Sequence, residues 1–302
     1  MQAPPFAVTR RLLSLIDPRD PGDPIRRQFF PRVQELEAHP EELADPLGEE
    51  GVRKAPGLLH RYPDRALLLV TGRCAAYCRH CFRRRFTGPG RMRAPGPAAL
   101  ERAAGYLAGH REVRELILSG GDPLMMPDRR LLALLELFRR SRPDLTFRIH
   151  TRLPVVLPER VTPELTALLS GFRPLRVVLQ ANHPRELAED LLQAVERFTR
   201  AGIQVLDQSV LLKGVNDDPA VLAGLFKALA AAGIRSYYLF HPDLAVGTAH
   251  LRPSLAEGLR LFEQARRLCP AEQLPRYVRD RPGGGGKVEL APASADGRDL
   301  TA

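Results

Sequence analysis

Six short apolar runs recur along this chain, each followed by a longer amphipathic stretch, and that alternation is the tightest constraint on its fold. The runs are Ala66–Thr71, Glu115–Ser119, Thr146–Thr151, Arg176–Ala181, Gln204–Ser209 and Ser236–Phe240. Brief apolar segments bounded by turn residues suit strands. Helical spacing of apolar residues marks Ala98–Gly109, Asp128–Arg140, Pro163–Ser170, Pro184–Ala201, Pro219–Ala232 and Ser254–Leu268. Several of these stretches open on a capping residue or proline, and Gly202 and Gly233 follow two of them as stops. Strand–helix units in series predict an α/β fold with a parallel sheet. Six units rather than eight fit an incomplete barrel as readily as an open doubly wound sheet. On either scaffold, ligands bind at the loops after the strands' C-terminal ends.

The remaining sequence divides around that core. Residues 1–55 are rich in Pro, Asp and Glu, with one short helix expected near Pro31–Glu37, and read as an N-terminal wrap. Residues 56–288 form the barrel, and 289–302 are expected to be a frayed, disordered tail. No run of about 18 apolar residues occurs, so no membrane span is expected. The N-terminus lacks the basic-then-apolar pattern of a signal peptide.

Three cysteines, Cys74, Cys78 and Cys81, fall within eight residues directly after the first run, spaced C-x3-C-x2-C. Few, clustered cysteines suit a reducing cytosol. A closed zinc site or a fully ligated cluster takes four protein ligands. Three thiolates on a cubane leave one iron open to another ligand. The alternatives are a Cys3His zinc site completed by His80 or His60, and three unliganded thiols.

A formal charge of +10 raises the question of a nucleic-acid partner. Only four of the 45 basic residues are lysines, the arginines are dispersed, and aromatics make up 6%. Such a surface offers neither a binding stripe nor stacking platforms, which disfavours nucleic acid. The scarcity of lysine makes Lys287 more informative, because it follows four consecutive glycines, Gly283–Gly286. A lysine in that setting is a candidate to hold an aldehyde cofactor through its amine. A flexible linker into the tail is the plainer reading.

Other residues of interest fall after predicted strands. Gly120-Gly121-Asp122 follows the second, Arg152 the third, Asn182-His183 the fourth and His241-Pro242-Asp243 the sixth. The paired glycines allow close backbone approach to a ligand, or make an ordinary turn. Before the first strand, Arg61 and Arg65 stand four apart, a spacing that suits two guanidinium groups on one phosphate or a solvated basic turn.

Taken together, Cys74–Cys81 with Phe82–Phe86, Leu118–Asp122, Arg152–Pro158, Gln208–Leu212 and Pro282–Lys287 resemble the lysine 2,3-aminomutase family. Its members are radical S-adenosylmethionine (SAM) enzymes that also use pyridoxal 5'-phosphate (PLP). The resemblance implies a partial (β/α)6 radical SAM barrel with a short C-terminal PLP-binding segment. It implies that Cys74, Cys78 and Cys81 hold a [4Fe-4S] cluster. Ser119, Gly120, Gly121 and Asp122 would line the methionine part of SAM, with His183 and Gln208 nearby. Arg61, Tyr62 and Arg65 match positions around PLP, and Lys287 the lysine that holds it. Arg83 matches the residue that pairs with the substrate carboxylate, and Asp243 and Asp280 the carboxylates that hold the ε-ammonium.

Two acids facing one cation favour L-lysine over glutamate, because buried carboxylates need a compensating charge. The implied reaction is an isomerisation. An electron delivered by a donor such as a flavodoxin or ferredoxin cleaves SAM to a 5′-deoxyadenosyl radical, and the amino group then migrates from the α- to the β-carbon. Arginine or glutamate as substrate, and β-lysine supply for modification of elongation factor P, are the alternatives within the family. A non-catalytic iron–sulfur or zinc protein that binds nucleic acid is the alternative outside it. The tail after Lys287 lacks the zinc-binding cysteines of the longer mutases, so no structural zinc is expected. Oligomeric state is left open.

Overall fold

The computed structural model describes residues 5–37 and 39–290. The disordered tail expected over 289–302 fails at its start, because Glu289 pairs with Val278 in the last strand and Leu290 is buried; the rest of it lies outside the described residues. Among the described residues, ten strands form one sheet in sequence order. They are β1 (Arg53–Ala55), β2 (Leu58–Tyr62), β3 (Arg65–Thr71), β4 (Glu115–Gly120), β5 (Thr146–His150), β6 (Leu175–Leu179), β7 (Gln204–Val210), β8 (Arg235–Phe240), β9 (Arg276–Asp280) and β10 (Lys287–Glu289). Strands β3 to β9 run parallel, while β1–β2–β3 and β9–β10 pair antiparallel. The sheet keeps two edges, β1 and β10, and is an uncompleted barrel. The six expected strands are β3 to β8. The sixth strand–helix unit delivers the chain to a seventh parallel strand, β9.

The helices are α1 (Arg10–Leu15), α2 (Pro24–Phe29), α3 (Pro97–Gly109), α4 (Asp128–Ser141), α5 (Leu153–Val156), α6 (Pro163–Ser170), α7 (Glu189–Arg200), α8 (Pro219–Ala231) and α9 (Leu255–Arg266). Their apolar spacing explains their packing. In α4, Leu131, Leu134, Leu135 and Phe138 are buried at i, i+3, i+4 and i+7, and in α7 Leu191, Ala194, Val195 and Phe198 repeat the pattern. These stripes join the core formed with β4, whose six residues are all buried. The expected helix Pro184–Ala201 is divided. Glu186 turns its carboxylate back onto the amides of Asn182 and His183, which leaves a short 3-10 turn before α7.

The N-terminal segment binds across the strands' C-terminal side. The backbone amides of Tyr77 and Arg79 donate to the carbonyls of Ala7 and Gln28 at 3.3 and 2.8 Å. Buried Glu35 takes Arg79 on both oxygens and Arg84 at 2.5 Å. Further along, Leu43 forms a bridge with Ala245, and the Pro46 carbonyl accepts the Gly283 amide at 3.0 Å. Both the cysteine loop and the glycine tract are therefore held by the same N-terminal segment. The helix expected at Pro31–Glu37 is a 3-10 turn, Val33–Leu36.

Candidate active site

A cavity of about 490 Å³ runs along the inner face of the sheet. Cys74, Cys78 and Cys81 line it, as do Ser119, Gly120, Gly121, Asp122, Gln208, Arg61, Tyr62, Arg65, Arg83, Asp243, Asp280 and Lys287. Of the residues expected at the site, His183 alone is missing from that lining. Its Nδ1 accepts the Arg185 amide at 3.2 Å, so its ring caps the turn after β6 instead. Gln180, at the end of β6, lines the cavity on that side.

All four cysteines are free thiols. Burial and then the Asp122 carboxylate push the Cys74 thiol far up, while burial followed by Cys78 raises Cys81 to about 11. Three thiols on one cavity wall, two of them disfavoured as thiolates, fit a multinuclear cationic centre that would supply the missing positive charge. Among the described residues, no three His, Cys, Asp or Glu side chains stand where one ion could be held. His60 is also committed elsewhere, with its Nδ1 2.8 Å from the Tyr106 hydroxyl.

The paired glycines are required by protein backbone. A Cβ on Gly120 would stand 2.3 Å from the Thr71 carbonyl oxygen, and Gly120 has φ +131°. On Gly121 a Cβ would stand 2.4 Å from the Arg73 oxygen. The end of β4 thereby seats the start of the cysteine loop, with the Asp122 amide donating to Arg73 O at 2.8 Å. The Asp122 carboxylate is spent on Thr151 Oγ1, the Leu124 amide and the Arg152 amide at 2.6, 3.1 and 2.8 Å. Burial raises its pKa despite those bonds.

Arg61, Tyr62 and Arg65 sit on a hairpin, with Tyr62 opposite Arg65 across the turn Pro63-Asp64. They reach the cavity from the starting end of β3, where Arg148 of β5 and Arg276 of β9 also face it. Convergence only on the loops after the strands therefore does not hold for this group. The Nε of Arg61 and the Tyr62 hydroxyl are buried without a hydrogen-bond partner, and Arg65 Nε has only an ion-pair contact with Asp64 Oδ1 at 3.1 Å. Unsatisfied donors on Arg61 and Tyr62, with the Arg65 guanidinium beside them, fit an anionic oxygen-rich group such as a phosphate.

At the opposite sheet edge, Lys287 of β10 stands in register with Asp280 of β9, and their side chains meet at 3.3 Å. The Lys287 ammonium lies 5.2 Å from the Phe240 ring and 5.7 Å from the Tyr62 ring. Asp243 is half-buried nearby, and desolvation followed by the Asp280 charge raises its pKa to about 7. Two carboxylates in this cavity share too little positive charge, which is an arrangement that awaits a cation.

Arg83 has a partner that sequence reasoning missed. Buried Glu49 accepts its Nε at 3.0 Å and its Nη2 at 2.7 Å, while Nη1 donates to Ser119 Oγ at 2.7 Å. Nothing in Gly48-Glu49-Glu50-Gly51 marks Glu49, because its partner lies 34 residues on. His150, also missed, ends β5 with Nδ1 3.3 Å from Gln208 Nε2, and burial holds its ring neutral. A histidine at the C-terminal end of a parallel strand was the available signal.

Residues 68–223 match the radical SAM superfamily. The L-lysine 2,3-aminomutase of Clostridium subterminale is 41% identical over 287 residues, covering 95% of this chain and 69% of that protein. The glutamate 2,3-aminomutase of Clostridioides difficile is 35% identical, covering 95% of this chain and 68% of that one. Among solved structures, a radical SAM methyltransferase from Sphaerobacter thermophilus shares the fold at TM-score 0.50 and 18% identity, over 73% of this chain and 68% of that one. The chain belongs to the radical SAM superfamily and, within it, to the lysine 2,3-aminomutase family.

Proposed function

We propose that this chain is an isomerase, a 2,3-aminomutase that interconverts L-lysine and β-lysine. The observation that carries the choice of substrate is the carboxylate pair Asp243 and Asp280, which stands beside Lys287 in the cavity that the three thiols share. Membership of the family supports the reaction, and the charge of the pocket supports lysine over glutamate. A γ-carboxylate placed there would add a third acid to two that already repel.

In this reading Cys74, Cys78 and Cys81 hold a [4Fe-4S] cluster, and the Ser119–Asp122 turn with Gln208 lies against SAM. Arg61, Tyr62 and Arg65 take the PLP phosphate, and Lys287 holds the cofactor. When bound, cluster and SAM supply one-electron chemistry that yields a carbon radical, and PLP supplies a carbonyl that captures the α-amino group. The protein's own groups supply position and charge. Arg83, fixed side-on by Glu49, has N–H groups left for the substrate carboxylate. The arriving ε-ammonium takes Asp243 and Asp280, supplying the positive charge that the Lys287 ammonium gives Asp280 in the protein alone. Leu59, Ile117, Val156, Val210 and Phe240 line the cavity with apolar surface that keeps water from a radical.

Residues 56–288 would then be the catalytic unit and 1–55 its wrap. A low-potential donor such as a flavodoxin or ferredoxin would supply the electron, and a reducing cytosol would keep the thiols free. Absorbance of PLP-loaded protein tests the cofactor assignment. Wild type should show a protein-bound PLP band that Lys287→Ala loses, and a band of equal strength in both would contradict it.

A further inference from the structure

We propose that Arg152 tunes the iron–sulfur centre, its guanidinium donating a charged hydrogen bond to Sγ of Cys78 and so raising the reduction potential of the cluster. The proposal rests on the cluster reading above. Arg152 follows β5, and its Nη1 lies 2.9 Å from Cys78 Sγ. Three other partners fix the group from behind. Nη2 donates to Glu186 Oε1 at 2.7 Å and to Gln28 Oε1, and the guanidinium lies 4.5 Å from the centre of the Phe29 ring. The backbone amide is held separately by Asp122. The side chain is therefore anchored without the thiol, and the contact with sulfur is additional to what the fold requires.

The orientation is polar. Glu186 is fully buried and lies on the Nη2 side, so the ion pair presents its positive end to Cys78. A thiolate that ligates iron keeps lone pairs and can still accept this bond. Hydrogen bonds and positive charge at ligand sulfur favour the reduced, more negative cluster. Gln28 and Phe29 come from α2 and its end, so the N-terminal segment sets the aim of the donor.

The test is an anaerobic redox titration of the reconstituted cluster followed by electron paramagnetic resonance, with iron measured in each sample. Arg152→Gln removes the charge. Arg152→Lys keeps a charge but cannot span Cys78, Glu186 and Gln28 at once. The equilibrium constant for reduction should fall at least tenfold in Arg152→Gln, about 59 mV for one electron. Arg152→Lys should show a smaller fall in the same direction. A variant that holds full iron at the wild-type potential would overturn the proposal. If neither variant takes up iron while wild type does, Arg152 serves assembly and the tuning claim also falls. If wild type itself takes up no iron, the cluster reading fails instead.

Discussion

Individual residues carry the choice of substrate. Asp243 holds its proton to about pH 7 in the absence of a ligand, against an ordinary 3.8, because burial and Asp280 both disfavour its charge. An ammonium ion binds the ionised form. Affinity for L-lysine should therefore rise about tenfold per pH unit up to roughly pH 7 and level off above it. Asp243→Asn should flatten that profile, and a slope unchanged in the variant would remove Asp243 from the site. The sign for stability is opposite. The folded, ligand-free protein binds this proton more tightly than the unfolded chain, so its stability falls as pH rises from 3.8 towards about 7. Glu49 makes a different kind of contribution. Its removal leaves a buried guanidinium unpaired, and Glu49→Ala should lower unfolding stability by about 3–5 kcal/mol. A denaturant midpoint that hardly moves would mean that the pair is open to solvent.

At the scale of elements, the decisive contact is the end of β4 against the start of the cysteine loop. Gly121→Ala places a methyl group against the Gly72–Arg73 backbone, which cannot swing aside as a side chain can. The variant should lose about 1–3 kcal/mol of stability and take up less iron on reconstitution. Full iron content at unchanged stability would show that the loop is not seated there. Sequence reasoning found this turn and left its glycines as a close approach to a ligand or an ordinary turn; a Cβ would meet Thr71 at the end of β3 for Gly120 and Gly72–Arg73 at the start of the cysteine loop for Gly121. Strands β3 to β8 were legible because each is an apolar run followed by a periodic helix. The strands outside that run were not. Strands β1, β2, β9 and β10 are short or charged, with three exposed or half-buried positions in each, and so carry weak apolar patterning. Asp280 and Lys287 were found as residues, yet their facing register across β9 and β10 comes only from the fold.

The whole molecule brings three groups to one cavity: thiols after β3, arginines on the β2–β3 hairpin, and acids with a lysine at the β8–β10 edge. The N-terminal segment locks this arrangement by touching the cysteine loop, Arg83 and the glycine tract in turn. None of its partners could be read from local pattern, since each lies far along the chain. What the sequence did carry was the set of chemical groups, and a substrate follows from their charges once the fold gathers them. The most direct measurement is turnover by anaerobically reconstituted protein with SAM, PLP and a one-electron reductant, offered L-lysine, L-arginine and L-glutamate separately. The account predicts β-lysine from L-lysine, no product from L-glutamate, and no product of either kind from Lys287→Ala. Conversion of L-glutamate with L-lysine left unchanged would contradict it.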